Sequence, residues 1–174
     1  MKNRQDHIIE FTIVFNRLKK RLYNYLLKMT SDRLTAEDIT QNVFLKLFEN
    51  YNLIRDKSKV DVWVFKTAKF EAFNYYRGKA TKVDQFGVAD TDELELGSGF
   101  DVLEIIELRD LREKIESELD NIPVEQKEIF ALKEFGGLSY EEISNVIGID
   151  ENLVKSRLHS ARRKLMLKLS KVLK

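Results

Sequence analysis

Apolar residues recur at helical spacing along most of the chain. From Ile8 to Met29 the stripe is Ile8, Phe11, Phe15, Leu18, Leu22, Tyr25 and Leu26, with Arg17, Lys19, Lys20, Arg21 and Lys28 outside it. This pattern predicts a long amphipathic helix. Thr30-Ser31-Asp32 breaks it, and Thr35 is the expected N-cap of a second helix reaching about Asn50 over a core stripe of Ile39, Val43 and Leu47. Asp38 would then stand three residues after the cap, in a capping arrangement. A third helix is expected from Val60 to about Arg77, carrying Trp63, Phe65, Phe70, Phe73, Tyr75 and Tyr76. Three helices so rich in aromatics can close a small core, with Trp63 and Phe73 expected to be mainly structural.

Beyond Gly78 the periodicity fades into an acidic stretch punctuated by Gly87, Gly97, Ser98 and Gly99, which reads as a linker. Helical spacing returns through Leu103, Ile106, Leu111, Ile115 and Leu119. Pro123 suits the first turn of the next helix, and Gly136-Gly137 its stop. Ser139 with Glu142 forms a capping box for a short helix through Ile143, Val146 and Ile147. Gly148-Ile149-Asp150 is a tight turn, with Asp150 the cap of a final helix from about Glu151 towards Leu169. Helix, glycine-containing turn, helix is a helix-turn-helix. The expected fold is therefore all-α: two small helical bundles, over residues 1–80 and 106–174, joined by a flexible acidic linker over 81–105.

Charge sharpens this picture. The net charge of +1 conceals an acidic middle (Asp90, Asp92, Glu93, Glu95, Asp101, Glu104, Glu107, Asp110) and a terminal stretch, 155–174, in which every charged residue is basic. At about 100° per residue, Val154, Leu158, Ala161 and Leu165 form the inward face of the final helix. Lys155, Ser156, His159, Arg162 and Arg163 face the other way, with Arg157 and Lys164 on the flank. Such a helix can lie in a DNA major groove, its cations meeting guanine edges or phosphates. The alternative is a merely solvated face, against which the preceding short helix and glycine turn weigh.

Other chemistries find little support. Adjacent acids such as Glu37-Asp38 and Glu141-Glu142 lack catalytic partners and suit helix starts. His7 and His159 are the only histidines, with no HExxH, and the chain has no cysteine. No enzyme activity, metal or cofactor is expected. No apolar run approaches transmembrane length and the start does not read as a signal peptide, so a cytoplasmic protein without membrane insertion is expected.

Three strings carry a family resemblance. Residues 122–165 (IPVEQKEIFALKEFGGLSYEEISNVIGIDENLVKSRLHSARRKL) resemble region 4 of the extracytoplasmic-function (ECF) subfamily of bacterial sigma-70-type RNA polymerase sigma factors. Residues 36–48 (AEDITQNVFLKLF) and 63–77 (WVFKTAKFEAFNYYR) resemble region 2 of the same family. The resemblance implies transcription initiation with core RNA polymerase and promoter DNA as partners, and an anti-sigma factor as a candidate partner. Asp38, Gln41, Asn42 and Leu45 would meet the clamp helices of the β′ subunit, and the C-terminal bundle the β flap. Lys66, Lys69, Phe70, Asn74 and Arg77 would meet the −10 element, aromatic faces stacking on unpaired bases and cations, Lys79 among them, following the backbone. Lys155, Ser156, Arg157, His159, Arg162 and Arg163 would meet the −35 element.

The chain departs from the family in places. Phe70 and Asn74 stand where asparagine and aspartate are common, so Phe70 can stack on a base but cannot read its hydrogen-bonding edge. Asn152-Leu153 replaces Gly-Thr, and Ser160 an arginine, which alters the expected −35 preference. Two rivals stay open on the residues: a response-regulator-type helix-turn-helix regulator, and a sigma-like interaction module without initiation activity.

Overall fold

In this computed structural model, residues 4–79 and 102–172 are described, with the backbone alone for Lys79, 102–106 and Val172. They form α1 (Arg4–Thr30), α2 (Arg33–Asn50), α3 (Val60–Lys79), α4 (Val102–Leu119), α5 (Val124–Glu134), α6 (Tyr140–Ile147) and α7 (Glu151–Val172). Two single 3-10 turns join α2 to α3, and no strand occurs among the described residues. Most of the expected linker lies outside the described residues.

The first break is local chemistry. The Thr30 hydroxyl donates to the Leu26 carbonyl at 2.8 Å, and Ser31 turns left-handed at φ 53°. Asp32, in extended conformation, is the N-cap of α2, three residues before the expected Thr35. Thr35 lies inside the first turn and donates its hydroxyl to the Asp32 carboxylate. Asp38 is thus released from the capping role and stands exposed one turn further on.

The C-terminal bundle follows its punctuation closely. Gly137 at φ 66° ends α5, with the Leu138 amide returning to the Leu132 carbonyl at 3.2 Å. In α6 the capping box is complete: Glu142 N–H donates to Ser139 Oγ at 3.1 Å, and Ser139 N–H to Glu142 Oε2 at 2.7 Å. Gly148 (φ 79°) makes the left-handed turn, and Asp150 Oδ1 accepts from the Asn152 amide at 2.7 Å to start α7.

The two bundles stand packed on one another. Leu18, Leu22 and Leu26 of α1, Val43 and Leu47 of α2, and Phe65 and Ala68 of α3 are buried in one apolar cluster with Leu132, Leu138, Ile143 and Leu158. Across this seam α1 packs on α5, and α3 on α6. A smaller cluster of Leu119, Ile122, Ala161 and Leu165 holds the α4 end against α7. Polar groups stitch the seam. Arg21 Nε donates to the Gly136 carbonyl at 2.7 Å, Lys28 pairs with Glu116, and Lys69 lies 3.4 Å from Glu128. Within the first bundle, Asp61 accepts both Arg17 terminal nitrogens, at 2.6 and 2.7 Å.

Two further expectations are corrected. Ile8 is 46% exposed, because it lies roughly 80° off the line of Leu18 at the edge of the α1 stripe. Phe73 is 60% exposed, because its neighbour Ala72 takes the inward position on α3. Trp63 is half-buried against the core edge.

Candidate nucleic-acid interface

The final helix is built as a split cylinder. Val154, Leu158, Ala161 and Leu165 are each buried, and they pin α7 to α4, α5 and α6. Lys155, Ser156, His159, Arg162, Arg163 and Lys164 are exposed, and Arg157 is half-buried on the flank. A cation row is thereby offered outward from a helix that its own bundle holds rigid.

Two side chains that the sequence did not single out shape this row. Glu134, at the end of α5, accepts from Arg162 Nε at 3.1 Å. That hydrogen bond, outweighing a small burial cost, holds the Arg162 guanidinium above its ordinary pKa. Tyr140, the first residue of α6, has the Lys133 ammonium 4.7 Å and the Lys155 ammonium 5.5 Å from its ring centroid. Lys155 also lies 3.7 Å from Glu151, one turn back. Neither Glu134 nor Tyr140 carries a sequence signal of its own, since each is placed by the crossing of α5 and α6 with α7.

On α3, Lys66, Phe70, Phe73, Asn74 and Arg77 are exposed, and Phe70 is 60% exposed. Spaced at three and four residues, they share the face turned away from Ala68 and Ala72. Aromatic rings interleaved with cations can stack unpaired bases and follow their phosphates. Lys69 differs from the others. It lies at the margin of this face, turned towards α5 and paired with Glu128.

The α2 surface is the third group. Asp38, Gln41, Asn42 and Leu45 are all exposed, opposite buried Ile39, Val43 and Leu47. Leu45 is 62% exposed, and the structure adds Leu34 (70%) and Phe48 (43%) along the same line. Residues 34, 41, 45 and 48 recur at three-, four- and seven-residue steps, a signal available in the sequence but hidden by the stronger inward stripe. Among the described residues no His/Cys/Asp/Glu cluster could hold a metal. No described helix is long and apolar enough to cross a membrane.

Comparison with known proteins gives these surfaces their context. Residues 14–81 match the family model described as Sigma-70 region 2, and residues 112–165 that of Sigma-70, region 4. Region 2 followed by region 4 is the plan of a sigma-70-type transcription initiation factor. Over 146 residues the chain is 30% identical to the ECF RNA polymerase sigma factor SigM of Bacillus subtilis (strain 168), covering 83% of this chain and 85% of that protein. RNA polymerase sigma factor YlaC of the same organism is 27% identical over 159 residues, 91% of each chain. The fold is similar to that of the sigma factor RpoE from Bartonella quintana, solved in complex with the anti-sigma factor NepR. The TM-score is 0.72 at 20% identity, covering 92% of this chain and 97% of that one. The chain belongs to the ECF family of RNA polymerase sigma factors. A regulator with only a response-regulator-type helix-turn-helix has no counterpart to the region 2 match, and that alternative falls.

Proposed function

We propose that this sigma factor works in the cytoplasm as a non-enzymatic initiation factor, bringing core RNA polymerase to promoters through residues 1–80 and 106–174, with 81–105 as the linker. The outer face of α2 (Asp38, Gln41, Asn42, Leu45) docks on the β′ clamp helices. Lys66, Lys69, Phe70, Asn74 and Arg77 on α3 meet the −10 element. Lys155, Ser156, Arg157, His159, Arg162 and Arg163 on α7 meet the −35 element, and the C-terminal bundle also touches the β flap. An anti-sigma factor is the expected protein antagonist.

The observation that carries this reading is the division of α7 into a buried apolar stripe and an exposed cation row, preceded by a capped short helix and a left-handed glycine turn. Phosphate contacts of this kind give weak, strongly salt-dependent duplex binding. With Phe70 in place of a base-reading amide, selectivity at −10 rests more on stacking than on hydrogen bonding.

Run-off transcription with purified core polymerase is the test. Specific initiation at a promoter supports the reading. Core binding without initiation supports the interaction module, a rival to which the Phe70 and Ser160 departures give weight. A chain that does not bind core polymerase at all rejects the proposal.

A further inference from the structure

Three helices meet at the Tyr140 ring. Tyr140 opens α6 directly after its N-cap Ser139, and its half-buried side chain packs against the large apolar cluster. The bundle, not solvent, therefore sets where the ring stands. Lys133 of α5 and Lys155 of α7 both lie over it, 4.7 Å and 5.5 Å from its centroid. Lys133 is half-buried and tied down a second time, donating to the Leu138 carbonyl at 3.1 Å. It braces the ring from the α5 side.

Lys155 is the partner that faces outward. Its side chain is 50% exposed, and Glu151 stands 3.7 Å away, beyond hydrogen-bond reach. A ring face attracts an ammonium through its quadrupole, which leaves the full charge and the N–H donors open to an anion. A lysine that must be fixed on DNA gives up rotamer freedom as it binds. One already resting on a ring has given up part of that freedom beforehand. Arg162 is held differently, by the Glu134 carboxylate, which offsets its charge.

We propose that Tyr140 is a positioning residue for the −35 contact, its ring holding the Lys155 ammonium over the outer face of α7 before DNA arrives. This rests on the assignment of Lys155 to the −35 element. The ring acts through Lys155 and touches no DNA itself. Removing it therefore has the opposite effect to removing Glu134, weakening the duplex contact instead of tightening it.

Fluorescence anisotropy of the full chain tests this on two labelled duplexes, a promoter fragment that supports run-off initiation and an unrelated sequence of equal length. Tyr140→Leu should weaken promoter binding by roughly two- to fivefold, the range that an exposed cation–π contact supports. Tyr140→Phe keeps the ring and should bind as wild type does. In a Lys155→Ala background Tyr140→Leu should cost nothing further, whereas a packing defect would cost the same in both backgrounds. The loss extends to both duplexes if Lys155 meets phosphate and stays with the promoter if it meets a base; either supports the role. Proton NMR supplies a second reading. The Lys155 ε-methylene signals should be shifted upfield by the ring in wild type and Tyr140→Phe, and return to their ordinary position in Tyr140→Leu. Equal losses in both backgrounds, or tighter binding by Tyr140→Leu, overturn the positioning role. Absence of the ring shift in wild type overturns the contact itself. A wild-type chain that binds neither duplex removes the −35 reading and this role with it, and that failure is recognised because the ring shift persists.

Discussion

Arg162 of α7 and Glu134 of α5 are joined edge to edge. Nε donates to Glu134 Oε1 at 3.1 Å, and Nη2 donates to the same oxygen. Both side chains are substantially exposed, so the pair contributes at most ~1 kcal/mol to stability. Its consequence lies at the proposed DNA surface, where Glu134 orients the guanidinium and also places a negative charge beside it. Glu134→Ala should leave thermal unfolding nearly unchanged and tighten duplex binding a few-fold at low salt, as read by fluorescence anisotropy. Tighter binding that persists at high salt would contradict a charge origin.

Arg162→Ala and Lys155→Ala should both weaken promoter binding while core polymerase affinity stays intact. The two losses can be told apart. A residue that reads a base costs about 1–3 kcal/mol at its own position and relaxes specificity there. A phosphate contact costs the same on every sequence and reduces the salt slope by about 1. Measuring affinity against permuted −35 sequences at several salt concentrations assigns each residue to one class. Loss of core polymerase binding in either variant would mean that α7 serves polymerase, not DNA.

Leu45 tests the other surface. It is 62% exposed on α2 and points away from Val43 and Leu47. Leu45→Glu should change folding stability by no more than about 0.5 kcal/mol, as surface substitutions do. It should reduce core polymerase binding at least tenfold in a pull-down or competition assay. Phe48 is a poorer probe, because its ring packs 5.1 Å from Phe11 and 5.0 Å from His7. Its removal would unsettle the α1–α2 contact as well.

Much of this was legible before the structure. Ser139–Glu142, Gly148 and Asp150 are local signals, read within a few residues of each other, and α6 and α7 begin where those signals put them. The inward stripe of α7 follows from period alone. The start of α2 is ambiguous in sequence because Asp32 and Thr35 are both good capping residues, and only the backbone conformation at Asp32 chooses between them. Phe73 shares helical spacing with Trp63 and Phe70, a period that does not say which side is inward, and Ala68 and Ala72 supply the close-packed face of α3 instead. Glu128 on Lys69 and Arg21 on the Gly136 carbonyl join residues 59 and 115 positions apart. No periodicity within one helix encodes such a pair.

Acid should loosen the seam. Burial opposes ionisation of Glu116, but the hydrogen bond and charge of Lys28, helped by Arg112, outweigh it and hold the carboxyl below its ordinary range. A lowered pKa in the folded state means that the unfolded chain takes up the proton first. The stabilisation is therefore complete above the unfolded glutamate value of about 4.3 and is lost as pH falls through the lowered folded value. Denaturation midpoints should fall below about pH 4.5, and less steeply in Glu116→Gln than in wild type. Parallel profiles would show that Glu116 adds nothing to the pH dependence.

Gly136 offers a steric probe of the same seam. A Cβ added there would lie 2.6 Å from the Leu132 carbonyl oxygen and 3.1 Å from Phe65 Cε1. The first is backbone and the second belongs to a buried ring in edge-on contact with Tyr25, with centroids 5.6 Å apart. The Leu132 carbonyl belongs to α5 itself, so that contact distorts the end of the helix locally, whereas only the Phe65 contact presses across the seam towards α3; the Gly136 carbonyl also carries the Arg21 hydrogen bond. Gly136→Ala should therefore cost about 1–3 kcal/mol by overpacking and lower energy transfer between dyes placed on the two bundles at R55C and N145C, both exposed positions in a chain without cysteine. Gly148→Ala is the matched control. A Cβ there meets nothing within 4 Å, but φ is +79°, so the cost is backbone strain of about 1–2 kcal/mol confined to the α6–α7 turn. The two substitutions should give similar losses in denaturant unfolding and opposite results in energy transfer, reduced for Gly136→Ala and unchanged for Gly148→Ala. If Gly136→Ala leaves the bundle separation untouched, the Phe65 contact with Gly136 does not set the distance between α3 and α5.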